Sequence, residues 1–191
     1  MCFIPGGTKS QSSFRNCSPK ACSWRSSKPA RARSPRNKLV GMPQVFVSSV
    51  VNAPAEKVWV TIRPFDAVVN WLPFVKSSPI EDGGDPTRVG CVRVLTQTDG
   101  EVFREVLVAL SDAERSYSYT FVSSPVPVRN HLTTLRVLPI TDGDLCYVEW
   151  SSRFEIDPQY EARLVDLMNQ NFLVGLRNLA DKFGGNPATS P

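Results

Sequence analysis

The hydrophobic pattern changes period twice along the chain. Gln44 to Val51 is a β-branched stretch that reads as a strand. Asn52-Ala53-Pro54-Ala55-Glu56 then reads as a helix start, with Pro54 at the first helical position and Glu56 in the first turn. Val58, Trp59 and Ile62 fall on one side of that short helix. Pro64 stops it, and Phe65 to Trp71 forms a second short helix that ends at Pro73. From Ser77 the period becomes two, and strands are expected over Ser77–Asp82, Gly90–Thr98, Glu101–Leu110, Arg115–Ser123, Asn130–Pro139 and Leu145–Ile156. Asp82-Gly83-Gly84-Asp85-Pro86, Asp99-Gly100, Ser111-Asp112 and Asp142-Gly143 supply the turns between them. The last strand alternates cleanly: Cys146, Val148, Trp150, Phe154 and Ile156 share one face, and polar residues hold the other. After Asp157-Pro158 the period returns to that of a helix. Leu164, Leu167, Met168, Phe172, Leu176, Leu179 and Phe183 recur at three- and four-residue steps until Gly184-Gly185. The order predicts an α+β domain, a curved seven-stranded antiparallel sheet with two short helices and one long C-terminal helix.

Two charges interrupt the apolar positions of the sheet. Arg93 and Glu105 sit on neighbouring strands, where a core-facing surface ordinarily excludes charge. The turn between the strands decides where they point. A two-residue Asp99-Gly100 turn places Arg93 opposite Val106 and sends the two charges to different faces. A three-residue loop, with Gly100 left-handed in a bulge, sets Arg93 opposite Glu105 on one face. Both faces of Glu101–Leu110 carry apolar residues, so periodicity does not choose; we expect the three-residue loop and an inward pair. The bland reading is a cross-strand ion pair of small energetic weight. Inward, Arg93 could grip a ligand oxyanion and Glu105 could move a proton. Tyr117, Tyr119 and Phe121 share one strand face, and the hydroxyl of a buried Tyr needs a partner. His131 shares a face with Thr133, Leu135 and Val137, the usual setting of a hydrogen-bonded core histidine.

Charge divides the chain. Residues 1–44 hold nine Lys/Arg and no Asp or Glu; residues 45–191 hold thirteen against eighteen, so a tail of +9 precedes a body of −5 within the net +4. The basic balance therefore belongs to the tail and implies no nucleic-acid partner for the body. The tail is rich in Ser, Arg, Lys and Pro and lacks the apolar core of a secretory signal. That is transit-peptide composition, and we expect plastid targeting, with the mitochondrion as the alternative and the cytoplasm if Met42 is the start. The expected division is a basic tail over 1–43, a domain over 44–184 and a frayed end over 185–191. No apolar run reaches the length of a membrane span, which leaves only transient membrane contact. Cys91 and Cys146 sit beside Val on strands without paired spacing and read as small core residues. One histidine in the whole chain argues against zinc, and no cofactor or metal is expected.

Several stretches together resemble the START-like, or helix-grip, superfamily of polyketide cyclases, pollen-allergen-type proteins and lipid carriers. They are Val89-Gly90-Cys91-Val92-Arg93, Glu105-Val106-Leu107-Val108-Ala109-Leu110, Ser116-Tyr117-Ser118-Tyr119, Pro125-Val126-Pro127-Val128-Arg129-Asn130 and Glu149-Trp150-Ser151. Within it the pattern is most similar to the lachrymatory-factor synthase-like group. The resemblance implies a helix-grip fold over about residues 44–184 and catalytic roles for Arg93 and Glu105 if the protein is an enzyme. It also implies cavity positions at Tyr119, Trp150 and His131. With the inward residues Tyr117, Phe154, Leu167 and Phe172, these form the expected ligand site. The favoured expectation is binding of a small hydrophobic molecule of lipid, terpenoid, quinone or polyketide type; the alternative is a cofactor-free isomerase or cyclase. A membrane-associated organelle chaperone is suggested by the tail alone.

Overall fold

The computed structural model describes residues 42–185. The expectations for the tail and for residues beyond 185 lie outside the described residues. Seven strands form one antiparallel sheet in the spatial order β1-β7-β6-β5-β4-β3-β2. They are β1 (Gln44–Val51), β2 (Val75–Ser77), β3 (Val92–Gln97), β4 (Val102–Ser111), β5 (Ser116–Ser123), β6 (Arg129–Ile140) and β7 (Leu145–Glu155). Helix α1 (Ala55–Ile62), a 3-10 helix (Phe65–Asn70) and the long helix α2 (Pro158–Asp181) complete the helix-grip α+β fold expected from the sequence.

Capping chemistry sets the helix ends. Pro54 is the N-cap of α1 and not its first helical residue, so the helix starts one position later than expected, a boundary difference within the usual fraying of helix ends. Trp59 and Arg63 of the α1 turn both donate to Asp112 Oδ1, at 2.9 and 2.6 Å, which fastens α1 to the β4–β5 turn. Asp157 caps α2 by accepting from Gln159 N, with Pro158 in the first helical turn. Gly175 lets α2 approach the rest of the domain closely. A Cβ there would run into Leu72 Cδ2 and stand 3.0 Å from Trp150 Cζ3 on β7.

Two departures from the expected strands have local causes. Over Ser77–Asp82 the regular strand is confined to Val75–Ser77, followed by an isolated bridge from Ile80 to Arg93. Pro79 has no N–H to give the ladder, and pairing continues through its carbonyl, which accepts from Val94 N at 2.9 Å. In β4 the register against β5 shifts between Leu107 and Ala109. Phe103, Glu105 and Leu107 alternate inward, Val108 and Ala109 are exposed, and Leu110 turns back toward the core. The bulge brings Leu110 toward the core although it alternates in sequence with the outward Val102, Val106 and Val108.

Candidate functional site

The β3–β4 hairpin is closed by Thr98-Asp99-Gly100. Gln97 N donates to Glu101 O at 2.8 Å, Gly100 N donates to Gln97 O at 3.1 Å, and Gly100 has φ +92°. That left-handed residue is where a Cβ would be strained, so the glycine defines the three-residue loop. The resulting register sets Arg93 opposite Glu105. Both are buried, with 1% and 5% exposure, and Arg93 Nε donates to Glu105 Oε2 at 2.6 Å. Arg93 Nη1 donates to the Phe65 carbonyl at 2.7 Å, and the guanidinium carbon lies 3.9 Å from the Phe65 ring centre and 4.8 Å from that of Tyr119. Burial alone would push the guanidinium down, but the Glu105 carboxylate and the neighbouring tyrosines hold it above its ordinary value, so it is charged.

Beside the pair lies a cavity of about 460 Å³. Its sheet wall comprises Arg93, Leu95, Phe103, Glu105, Tyr119, Phe121, His131, Thr133 and Trp150; α2 contributes Leu164, Leu167, Met168, Asn171 and Phe172. Leu72 and Phe74, which follow the 3-10 helix, add apolar surface, and Thr98, Asp99, Glu101, Val126 and Val128 come from the adjoining loops. The polar groups form two short networks. Trp150 Nε1 donates to the Tyr119 hydroxyl at 3.3 Å, and the Trp150 ring stacks on Phe172 with centres 4.1 Å apart. His131 Nε2 lies 2.8 Å from Thr133 Oγ1, which donates to Ser152 Oγ at 2.8 Å. With the threonine hydrogen so used, the histidine is the donor, Nε2 carries its hydrogen and Nδ1 is a bare acceptor. Burial lowers the His131 pKa to about 4 and raises that of Tyr119 far above the ordinary phenol, so both are neutral near pH 7.

The structure therefore brings Arg93, Glu105, Tyr119, His131, Trp150, Leu167 and Phe172 to one cavity. Leu167 is half-exposed there, while Phe172 is buried. Tyr117 and Phe154 are placed elsewhere. Both are buried on the inward face but lie off the cavity wall. Tyr117 is covered by Trp59 of α1 and by Phe65, whose ring it meets edge-on with centres 5.9 Å apart. Burial pushes its pKa up to about 12, opposed by the charge of the nearby Arg93 guanidinium. Phe154, beyond Ser152 near the end of β7, is core at 1% exposure. Arg93 also departs from expectation. Its Nε and Nη1 donate to protein oxygens, and its side chain is 2% exposed, so it holds Glu105 in place and offers little to a ligand anion.

The sequence over residues 42–184 matches the family model described as polyketide cyclase / dehydrase and lipid transport. The chain belongs to that family. Among solved structures the chain is similar to the protein XoxI from Bacillus cereus, 31% identical with a TM-score of 0.67 over 74% of this chain and 96% of that one. A protein from Nitrosospira multiformis is 35% identical, with a TM-score of 0.65 over 74% of this chain and 96% of its own. Norcoclaurine synthase from Thalictrum flavum, solved in complex with dopamine and hydroxybenzaldehyde, shares the fold at 18% identity. Its TM-score is 0.62 over 80% of this chain and 92% of the synthase. No curated protein matches the chain. One further wall residue carries a sequence signal: Asn171 is a polar residue within the apolar stripe of α2, between Met168 and Phe172.

Proposed function

We propose that this protein binds and carries a small hydrophobic molecule of lipid, terpenoid, quinone or polyketide type in the cavity between sheet and α2. The observation that carries the reading is the cavity itself: about 460 Å³, walled by aromatic and aliphatic side chains with a few convergent polar groups. The proposed ligand residues are Arg93, Glu105, Tyr119, His131, Trp150, Leu167 and Phe172, with Tyr117 acting behind them through Arg93. Native mass spectrometry of the full chain purified from its own cells tests this. A stoichiometric nonpolar adduct is expected, lost on organic extraction. Protein that carries no adduct, and takes none up from a total lipid extract, would sink the carrier reading.

One observation favours a second reading, a cofactor-free isomerase or cyclase as in lachrymatory-factor synthase-like proteins. A carboxylate fixed at 2.6 Å by a buried arginine, on the wall of an apolar cavity, is suited to moving a proton between two positions of a bound substrate. Glu105→Gln separates the readings, because it removes the proton acceptor and keeps the shape. An enzyme would lose turnover while retaining uptake. A carrier would leave the bound molecule chemically unchanged with either protein. The fold does not rank the two, since one architecture hosts both roles.

A further inference from the structure

The cavity has a polarity that its apolar character conceals. Its lining holds one cation, Arg93, and three carboxylates, Glu105 in the wall and Asp99 and Glu101 at the β3–β4 loop. The cation is turned into the protein. Arg93 donates to Glu105 Oε2 and the Phe65 carbonyl and rests on the Phe65 ring. The carboxylate is only half used. Arg93 engages Oε2, and Glu105 Oε1 has no donor among the described residues. His131, 94% buried in the same lining, has an Nδ1 with no partner, and its place in the Thr133–Ser152 chain makes that nitrogen an acceptor. The Tyr119 hydroxyl already receives Trp150 Nε1. Glu105 Oε1 and His131 Nδ1 are thus open acceptors in a setting of excess negative charge, and the Tyr119 O–H and the Asn171 amide are the open donors of the same lining.

We propose that the cavity selects an aromatic or otherwise apolar molecule bearing a hydrogen-bond donor, a protonated amine before a hydroxyl, and discriminates against carboxylic acids. The inference rests on the reading that the cavity is a ligand site and adds the chemical class of ligand. A donor group on the ligand satisfies the buried acceptor that the fold leaves open. A positive charge gains from the three carboxylates while Arg93 is neutralised by its own partner. A ligand carboxylate would meet Glu105 without access to the guanidinium, and like charges in a low-dielectric wall repel strongly. The aromatic sides, Phe74, Phe103, Phe121, Trp150 and Phe172, suit a flat hydrocarbon body and also favour a cation near their faces.

The test uses the full chain and three probes with the same aromatic body: naphthylethylamine, naphthylethanol and naphthylacetic acid, titrated calorimetrically at neutral pH and low salt. The amine is expected to bind about tenfold or more tighter than the acid, with the alcohol between them. Asp99→Asn/Glu101→Gln, both exposed and remote from the core, should narrow the amine–acid gap. Arg93→Leu/Glu105→Leu removes one charge of each sign, leaves the net charge unchanged, and should abolish the advantage of the alcohol over the acid. An acid that binds as tightly as the amine, or a gap that neither variant moves, overturns the proposed polarity and leaves the cavity reading standing. If none of the three probes binds, the proposal falls together with the cavity reading.

Discussion

Arg93 and Glu105 offer the sharpest energetic test of the site, because each side chain justifies the burial of the other. Arg93→Met leaves a carboxylate at 5% exposure without its guanidinium; Glu105→Leu leaves a guanidinium at 1% exposure with no counter-charge. Breaking a buried pair from one side costs about 3–5 kcal/mol, whereas replacing both members with apolar residues of similar volume is roughly neutral. The double variant does lose something specific to this site. The Phe65 carbonyl forfeits its donor, at a cost of about 1–3 kcal/mol for a buried group left unmet. The expected order is therefore wild type most stable, both single variants least stable, and the double variant between them. The assay is urea unfolding followed by tryptophan fluorescence, with midpoints compared at constant m-value. For a domain of this size each kcal/mol also moves the melting temperature by roughly 2–4 °C, so a single variant should melt about 6–20 °C below wild type. Single costs that simply add in the double variant, or singles indistinguishable from wild type, would refute the idea of a mutually dependent buried pair.

Other expectations follow from separate features. Gly175→Ala should destabilise the domain despite alanine's better helix propensity, because the new methyl meets Leu72 and Trp150; an unchanged or raised melting temperature would show that α2 can retreat without loss. His131 is the chain's only histidine, and its folded pKa of about 4 lies below the unfolded value near 6.5. The unfolded chain then binds the extra proton first, so stability should fall as pH drops from about 6.5 to 4, and His131→Phe should flatten the histidine part of that slope. Parallel pH profiles for the two proteins would contradict this. The basic tail is proposed to direct import, and a fluorescent fusion lacking residues 1–41 should remain cytosolic; an unchanged organellar signal would exclude that role.

Much of the architecture could be read from side-chain alternation and turn chemistry. The β7 pattern placed Trp150 inward, and the Asp157-Pro158 start and Gly184-Gly185 end bracketed α2. Even the facing of Arg93 and Glu105 was recoverable, since Gly100 permits the left-handed residue that a three-residue loop needs. Other features depended on contacts between distant segments. Tyr117 and Tyr119 are equivalent on strand β5, yet only Tyr119 reaches the cavity, because Trp59 and Phe65 arrive from elsewhere in the chain to cover Tyr117. The bulge at Val108 mixed the two faces of β4 in a way that period-two reasoning cannot resolve. Arg93 looked like a ligand anchor because the Phe65 carbonyl that captures its Nη1 is a backbone group 28 positions earlier in the chain.

The turn at Thr98-Asp99-Gly100 has a genetic consequence. Loss of a single codon there would offer the hairpin a two-residue closure, and a strand that slips by one residue exchanges its inward and outward sets. Arg93 would then face Val106 and the carboxylate would leave the cavity, although both residues and every aromatic side of the pocket would still be encoded. Mutational surveys that only substitute residues would miss this sensitivity. Length variation at these three positions is a more direct gauge of whether the buried pair is under selection.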